Sequence, residues 1–571
     1  MKNYRYIFLL LSVLFMASAC DSFLDRPPMA SMSDPDYWKN ETHARTFSYA
    51  FYEQFFKGYG SGYTYGPFWI GLSFNDDIAF NVQGEFPPIR IPETDTGWSF
   101  GTVRKINYML SKVEAMTTLS DEAKNHWIGV SRFFRAAEYS TLTFTYGDVP
   151  WYDRVPETDE KEYLYKDRDP RVEVVKNIIE DFRFAIDNVR EDDGELNVNK
   201  YVVAGMASRM MLREGTFLKY HNIDPQTAKS CLTLAREAAR VVMDSKKYAV
   251  SDSYNALFSS DDLMGNREAI FYRKYLEGIL THVILTYSNT EPQTGATRAL
   301  LESYLTKDGL PIHVKPDWKA VTATDFFKDR DPRLTRTFRS RYYIRGENCA
   351  PFAYSTSGYS QCKFMDDTQA GNNELKYLQS NNVTDAPVLR LGEVLLNYAE
   401  ATYELGLLTQ ADLDQTINLL RARKGMELPA LQMIGDQPAV NGKTYDDPKR
   451  DPDVSSLLWE IRRERRVELC FEGFRFNDLK RWHKLDYMYN GVNPDIRYGA
   501  YIRYSDYPKA NKTEIYIENG AAEGFILCNR GTERKAPEAK HYVRPVPANE
   551  IQLYKDNGFT LTQTAEWANE E

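Results

Sequence analysis

Residues 462–482 read RRERRVELCFEGFRFNDLKRW, with seven Arg or Lys set among glutamates, aromatic rings and aliphatic chains. Wound as a helix, Glu460, Glu464, Glu468 and Glu472 recur every four residues and form one stripe. Like charges at that spacing repel, so the stripe needs cations to answer it. Arg463 follows Glu460 by three residues and Arg465 precedes Glu468 by three, so both can pair locally. Val467, Leu469 and Phe471 are free to pack elsewhere, and Gly473 is expected to end the helix before a short second segment, FRFNDLKRW.

Three functional readings of the stretch are weak. A carboxylate metal site in a helix bundle wants Glu-x-x-His, and the residue three after Glu472 is Arg475. Phosphate or nucleic-acid binding needs arginines that glutamates do not already hold. Glycoside hydrolysis needs two carboxylates facing each other across a cleft. The expectation is an internal Arg–Glu network that locks this helix against its neighbours.

The surrounding chain supports a folded protein of ordinary composition. It has 571 residues, 43% apolar and 27% charged, enough for a large core. Aromatics reach 14%, with 39 Tyr, 30 Phe and 9 Trp; Tyr and Trp serve binding surfaces as well as cores. A net charge of −10 argues against a nucleic-acid partner. At the N-terminus, Lys2 and Arg5 precede an apolar run over 6–19, too short to span a bilayer. Ala17-Ser18-Ala19-Cys20 resembles a bacterial lipobox, which implies cleavage before Cys20 and lipidation of that residue, with residues 1–19 as signal peptide. Acyl chains on Cys20 would hold the chain to a membrane at about 0.8 kcal/mol per buried CH₂.

Of the other cysteines, Cys231 and Cys470 sit in helical patterns and are expected to be buried thiols. Cys349 and Cys362 lie in a loop-rich stretch, where a disulfide and two thiols are both open. The cysteine and histidine spacing offers no zinc pattern, and no cofactor is implied.

Helical periodicity marks 34–56 (with Asp34 as a possible cap), 101–116, 120–144 (capped near Ser120), 169–189, 199–220 and 224–245. Ala399, Tyr403 and Gly406, within 389–425, fit the spacing of a tetratricopeptide helix pair. The fold class expected is mostly α, with divergent tetratricopeptide-type repeats drawn from about 34–250 and 388–475. Aromatic, Gly-rich stretches at 58–97, 281–387 and 484–543 form a loop-rich half; loops this long are usually functional.

Six ordered motifs carry a family resemblance: FLDRPP (23–28), TYGDVPWYD (145–153), YLTKDGLPI with KDRDPRLTRTF (304–338), VLRLGEVLLNYAEATYELG (388–406), IRRERRVELCFEGFRFNDLKRW (461–482) and VRPVPANEI (543–551). In this order the chain resembles the SusD/RagB family over 20–571, read as a single SusD-like domain. The resemblance implies an outer-membrane lipoprotein, exposed at the cell surface, that is not an enzyme. It implies a nutrient ligand, an oligosaccharide or in some branches a peptide, and a SusC-like TonB-dependent β-barrel transporter as partner. The family's ligand residues sit in no transferable motif.

The candidate ligand-binding residues therefore come from the loops: Tyr63, Tyr65, Trp69, Phe74, Asn75, Asp76, Trp318 and Tyr343. Rings can lie flat on the C–H faces of sugars while Asn and Asp bond their hydroxyls. Whether Asp76 and Asp77 hold Ca²⁺ is open, and no metal site is assigned. Gly97-Trp98-Ser99-Phe100-Gly101 matches the G-x-S-x-G hydrolase elbow, but PETDT before it is no strand. Trp98 is expected to pack at the start of the helix 101–116 instead. A surface lipoprotein hydrolase is the rival from another class; no catalytic residue is assigned.

Overall fold

A computed structural model describes residues 37–570 apart from 69–73, 80–83, 290–294, 316–317, 319–321, 348–354, 366–373, 375, 377 and 531–533. The lipidation site Cys20, the cap Asp34, Trp69 and the Cys349–Cys362 pairing lie outside those residues.

Helices dominate the first half. They are α1 (Glu41–Ser48), α2 (Gly101–Ala115), α3 (Asp121–Tyr146), α4 (Arg171–Asn188), α5 (Lys200–Tyr220) and α6 (Pro225–Asp244). Their starts follow local chemistry. Ser120 accepts a hydrogen bond from Ala123 N at 3.2 Å, and Asp224 accepts from Thr227 N ahead of Pro225. The single helix expected over 34–56 is instead α1, a 3₁₀ turn and a short helix Tyr52–Phe55, with Asn40 as the cap. α3 packs on α4, α5 on α6, and α6 on α8 (Leu391–Glu404), around one large core of aliphatic and aromatic side chains. α5 is buried on most of its faces, and a Cβ at Gly215 would meet Leu232 at 2.8 Å, so glycine lets α5 and α6 close on each other. In 389–425 the expected helix pair is broken. α8 stops before Gly406 (φ +70°), and two short helices, Gln410–Asp414 and Ile417–Arg421, follow.

Two strands tie the scaffold to the loop-rich half. β1 (Ala269–Arg273) pairs antiparallel with β2 (Ala386–Arg390), the latter running directly into α8. Between them lies α7 (Arg298–Ser303). Further on, β3 (Tyr498–Arg503) and β4 (Glu523–Leu527) form a bulged antiparallel hairpin.

The stretch at 462–482 forms α9 (Ser456–Glu468) and α10 (Arg475–Arg481). α9 ends five residues earlier than Gly473, where side chains take the carbonyl of its last residue and that of Cys470 just beyond. Tyr254 Oη and Arg390 Nη2 donate to Glu468 O at 3.0 and 2.9 Å, and Lys363 Nζ donates to Cys470 O at 2.6 Å. Gly473 (φ +85°) instead brings the α9–α10 turn against the 58–68 loop, where a Cβ would sit 2.7 Å from Pro67 O.

The glutamate stripe is buried and answered by arginines, mostly from far along the chain. Glu464 bonds Arg333 and Arg421; Glu468 bonds Arg333, Arg390 and Arg423; Glu472 bonds Arg390 and Lys363. Glu460 does pair with Arg463 at 3.0 Å. Arg465 does not reach Glu468; it bonds Asp478 at 2.9 Å and Asn397 at 2.8 Å. Cys231 and Cys470 are buried thiols, both pushed above the usual thiol range by burial. Among the described residues no helix is long and apolar enough to cross a membrane.

Candidate functional site

The β3–β4 hairpin sets three half-buried rings beside one another. Phe525 meets Tyr501 edge-on at 5.2 Å and lies 6.0 Å from Tyr498. Tyr501 and Phe525 are register partners, which is why both rings share one face. Arg298 of α7 holds its guanidinium 3.8 Å above Phe525 and 4.7 Å from the half-buried Trp318 ring. The buried Arg298 thus links Trp318 to Phe525, and the two tyrosines cluster beside Phe525, one edge-on and one tilted.

A chain of ionised groups fixes that cluster from below. Arg298 pairs with Glu302; Glu302 Oε2 is 3.2 Å from His313 Nε2; His313 Nδ1 is 3.0 Å from Asp447 Oδ1; Asp447 pairs with Arg463. Trp318 meets the His313 ring edge-on at 4.7 Å, so the imidazole also supports the platform ring. Burial would lower the His313 pKa, but its two carboxylate partners outweigh that and raise it. Burial would raise Asp447, yet Arg463 and His313 hold it well below the usual carboxylate range.

A protonated imidazole donates to both acids, whereas the neutral ring has one N–H for two carboxylates. The raised folded-state pKa means the stabilisation is complete below the unfolded value near 6.5 and is lost as pH rises through the folded value. Denaturant unfolding between pH 6 and 9 is expected to show stability falling with pH at this site. His313→Gln should remove that component; equal pH slopes in both proteins would refute the assignment.

Beside the platform lies a cleft of about 460 Å³, lined among others by Glu302, His313, Asp447, Trp459, Tyr487 and Asp495. Trp459 Nε1 donates to Asp447 Oδ2 at 3.3 Å, and Lys449 reaches Asp495 at 3.0 Å. The cleft therefore offers two further rings together with many polar groups.

The seven loop candidates among the described residues fall in different neighbourhoods. Trp318 belongs to the platform, and Asp76 lines the adjoining cleft. The Asp76 carboxylate is 1% exposed and accepts from Arg475 twice at 2.7 Å and from Arg466 at 3.3 Å. Burial would raise its pKa, and the two arginines outweigh that and lower it. Asp77 is held by Arg466 at 2.6 Å, so arginines already engage both carboxylates. Asn75 Oδ1 accepts from Asp77 N at 2.8 Å and shapes this turn. Phe74 packs against Phe86 and Phe476, with Arg534 4.3 Å away over its face.

Tyr65 lines a separate cavity of about 510 Å³, walled also by Met206, Met210 and Phe474, and shares a 2.6 Å hydrogen bond with the Tyr287 hydroxyl. Tyr63 is 60% exposed at the tip of a short hairpin. Tyr343 is buried, its hydroxyl accepting from Arg341 at 2.9 Å. Trp98 packs edge-on against Tyr146 and Phe100, and Ser99 Oγ accepts from Gly101 N as α2 begins.

Sequence reasoning missed Tyr498, Tyr501, Phe525, Arg298 and His313. The alternation in YGAYIR (498–503) was a usable strand signal.

The SusD family model matches residues 285–567. A SusD-like protein of Bacteroides ovatus is 21% identical over 508 residues, 85% of this chain and 84% of that one. A SusD-like carbohydrate-binding protein of Bacteroides fragilis superposes with a TM-score of 0.65 at 21% identity, over 90% of this chain and 99% of the other. A laminarin-binding SusD-like protein superposes at 0.53 with 18% identity, over 92% and 99%.

Proposed function

We infer, on the premise that this chain belongs to the SusD/RagB family, that it is a cell-surface lipoprotein anchored through Cys20 to the outer membrane. It captures an oligosaccharide and passes it to a SusC-like TonB-dependent transporter. The observation that carries the ligand class is the platform of Trp318, Phe525, Tyr498 and Tyr501 at the edge of a polar cleft. Flat rings accept the apolar faces of sugar units, and the polar groups beside them offer hydrogen bonds to hydroxyls. The carbohydrate-binding and laminarin-binding structural relatives support the same reading.

Glu302 and Asp447, two of the acids that line the cleft, suit binding without chemistry. A glycosidase needs one carboxylic acid kept protonated opposite a second carboxylate. In the cleft, Glu302 and Asp447 are committed to Arg298, His313 and Arg463, and Asp447 is held ionised.

Calorimetry of the mature chain against a glycan panel tests this. Saturable heat with one glycan class and no new reducing ends is the expected result. Binding only from a peptide library would refute the glycan assignment, and appearance of reducing ends would refute binding without cleavage.

A further inference from the structure

A second, smaller cavity of about 30 Å³ opens off the inner end of the cleft, sharing Trp459, Arg463, Arg466, Arg475 and Tyr487 with it. Its described lining carries four guanidinium groups and no carboxylate; Ser303 is shared with the cleft as well, and Arg462 and Trp482 belong to the smaller cavity alone. Arg463 is satisfied by Glu460 and Asp447. Arg466 and Arg475 share Asp76 and Asp77, and those bonds use Nε and Nη2 of each, leaving Nη1 out.

Arg462 is the anomaly. It is 6% exposed, and its Nε and Nη2 are buried without a hydrogen-bond partner among the described residues. It is stacked between Trp482 at 4.3 Å and Tyr220 at 5.0 Å, so it cannot swing away freely. Its nearest carboxylate oxygen, on Glu404, stands at 3.7 Å, beyond hydrogen-bond range. Glu404 is already taken by Lys219 at 2.7 Å and by the Tyr220 hydroxyl at 2.6 Å. Arg462, Arg466 and Arg475 therefore line a cavity without a carboxylate of its own, and Asp76 and Asp77 engage only the last two of them. A buried cation with unmet donors is costly unless an anion answers it. The volume is that of one water-sized group.

We propose that this cavity is an anion site, in which Arg462, Arg466 and Arg475 bind a small monoanion at the inner end of the cleft. The anion is a halide from solution or the carboxylate of an acidic ligand lying in the cleft. Trp459 and Trp482 flank the site and report its occupancy.

The test uses the intact protein in a buffer whose only anion is a bulky morpholinosulfonate. Tryptophan fluorescence is followed on titration with bromide and, separately, with galacturonate and with galactose as its neutral counterpart. A saturable change with bromide assigns a solution anion. A change with galacturonate but not bromide or galactose assigns a ligand carboxylate. Either is expected to weaken about tenfold or more in Arg462→Met. No saturable change with either anion, or an undiminished one in folded Arg462→Met, would overturn the proposal. Should that variant not fold, crystals of the wild-type protein soaked in bromide and then back-soaked in galacturonate decide. Anomalous density in the cavity, or a carboxylate replacing it, supports the site; a neutral water in both soaks overturns it.

Discussion

Glu468→Gln is expected to lower folding stability by about 3–5 kcal/mol, read as a shift in the denaturant midpoint at unchanged slope. The substitution keeps the shape of the side chain, removes its charge and turns one acceptor oxygen into an NH₂ donor facing the arginines. Glu468 is fully buried, and its carboxylate bonds Arg333 at 3.1 Å, Arg390 at 2.9 Å and Arg423 at 2.9 Å. Burial pushes its pKa up, but those three arginines outweigh burial and bring it well down. Removing the charge leaves three desolvated cations short of a counter-ion, which is why breaking such a set costs more than forming it gains. Pairing the change with Arg423→Met should cost less than the two single changes together, since each removes part of the other's penalty. Additive losses would mean that Glu468 and Arg423 act independently, contrary to the network described.

The second large effect concerns ligand. Trp318→Ala is expected to weaken binding of the cognate glycan about tenfold to a hundredfold, as truncation of a central aromatic anchor does. Trp318 is half-buried, braced by His313 and by the Arg298 guanidinium, so its ring is already oriented before ligand arrives. Phe525→Ala should show a similar loss, because Arg298 stacks on both rings. Leu553→Ala, on the exposed face of the helix Ala548–Asp556, serves as control and should leave affinity unchanged. Calorimetry decides; wild-type affinity in Trp318→Ala would remove the platform from the binding surface.

Much of the helical frame was legible because periodicity and caps are local. Ser120 and the segments at 101–116, 199–220 and 224–245 fall within a few residues of the observed elements. The role of RRERRVEL as an internal ionic lock was also readable, since four glutamates at one spacing demand cations. Which cations answer them was not. Arg333, Arg390 and Arg423 lie more than forty residues away in sequence, and nothing local marks them as partners. The same holds for the end of α9, where distant side chains take the carbonyl of its last residue. Of the loop candidates, Trp318 falls on the platform. The rings beside it come from a hairpin whose facing residues depend on a bulged register that composition does not reveal.

The pairing of Arg273 with Ala386 at one end of the β1–β2 ladder has a consequence for how such a protein diversifies. Residues 274–385 leave and re-enter the frame at neighbouring points, so this long excursion behaves as a cassette with a closed base. Prongs along it tie it to the rest of the fold: Arg333 and Lys363 to Glu464, Glu468 and Glu472, His313 to Asp447, and Thr297 to Asp76 O. A cassette from a relative that keeps those prongs and the two strand ends could be exchanged to retune what the surface around Trp318 recognises, while the helices beneath keep their shape.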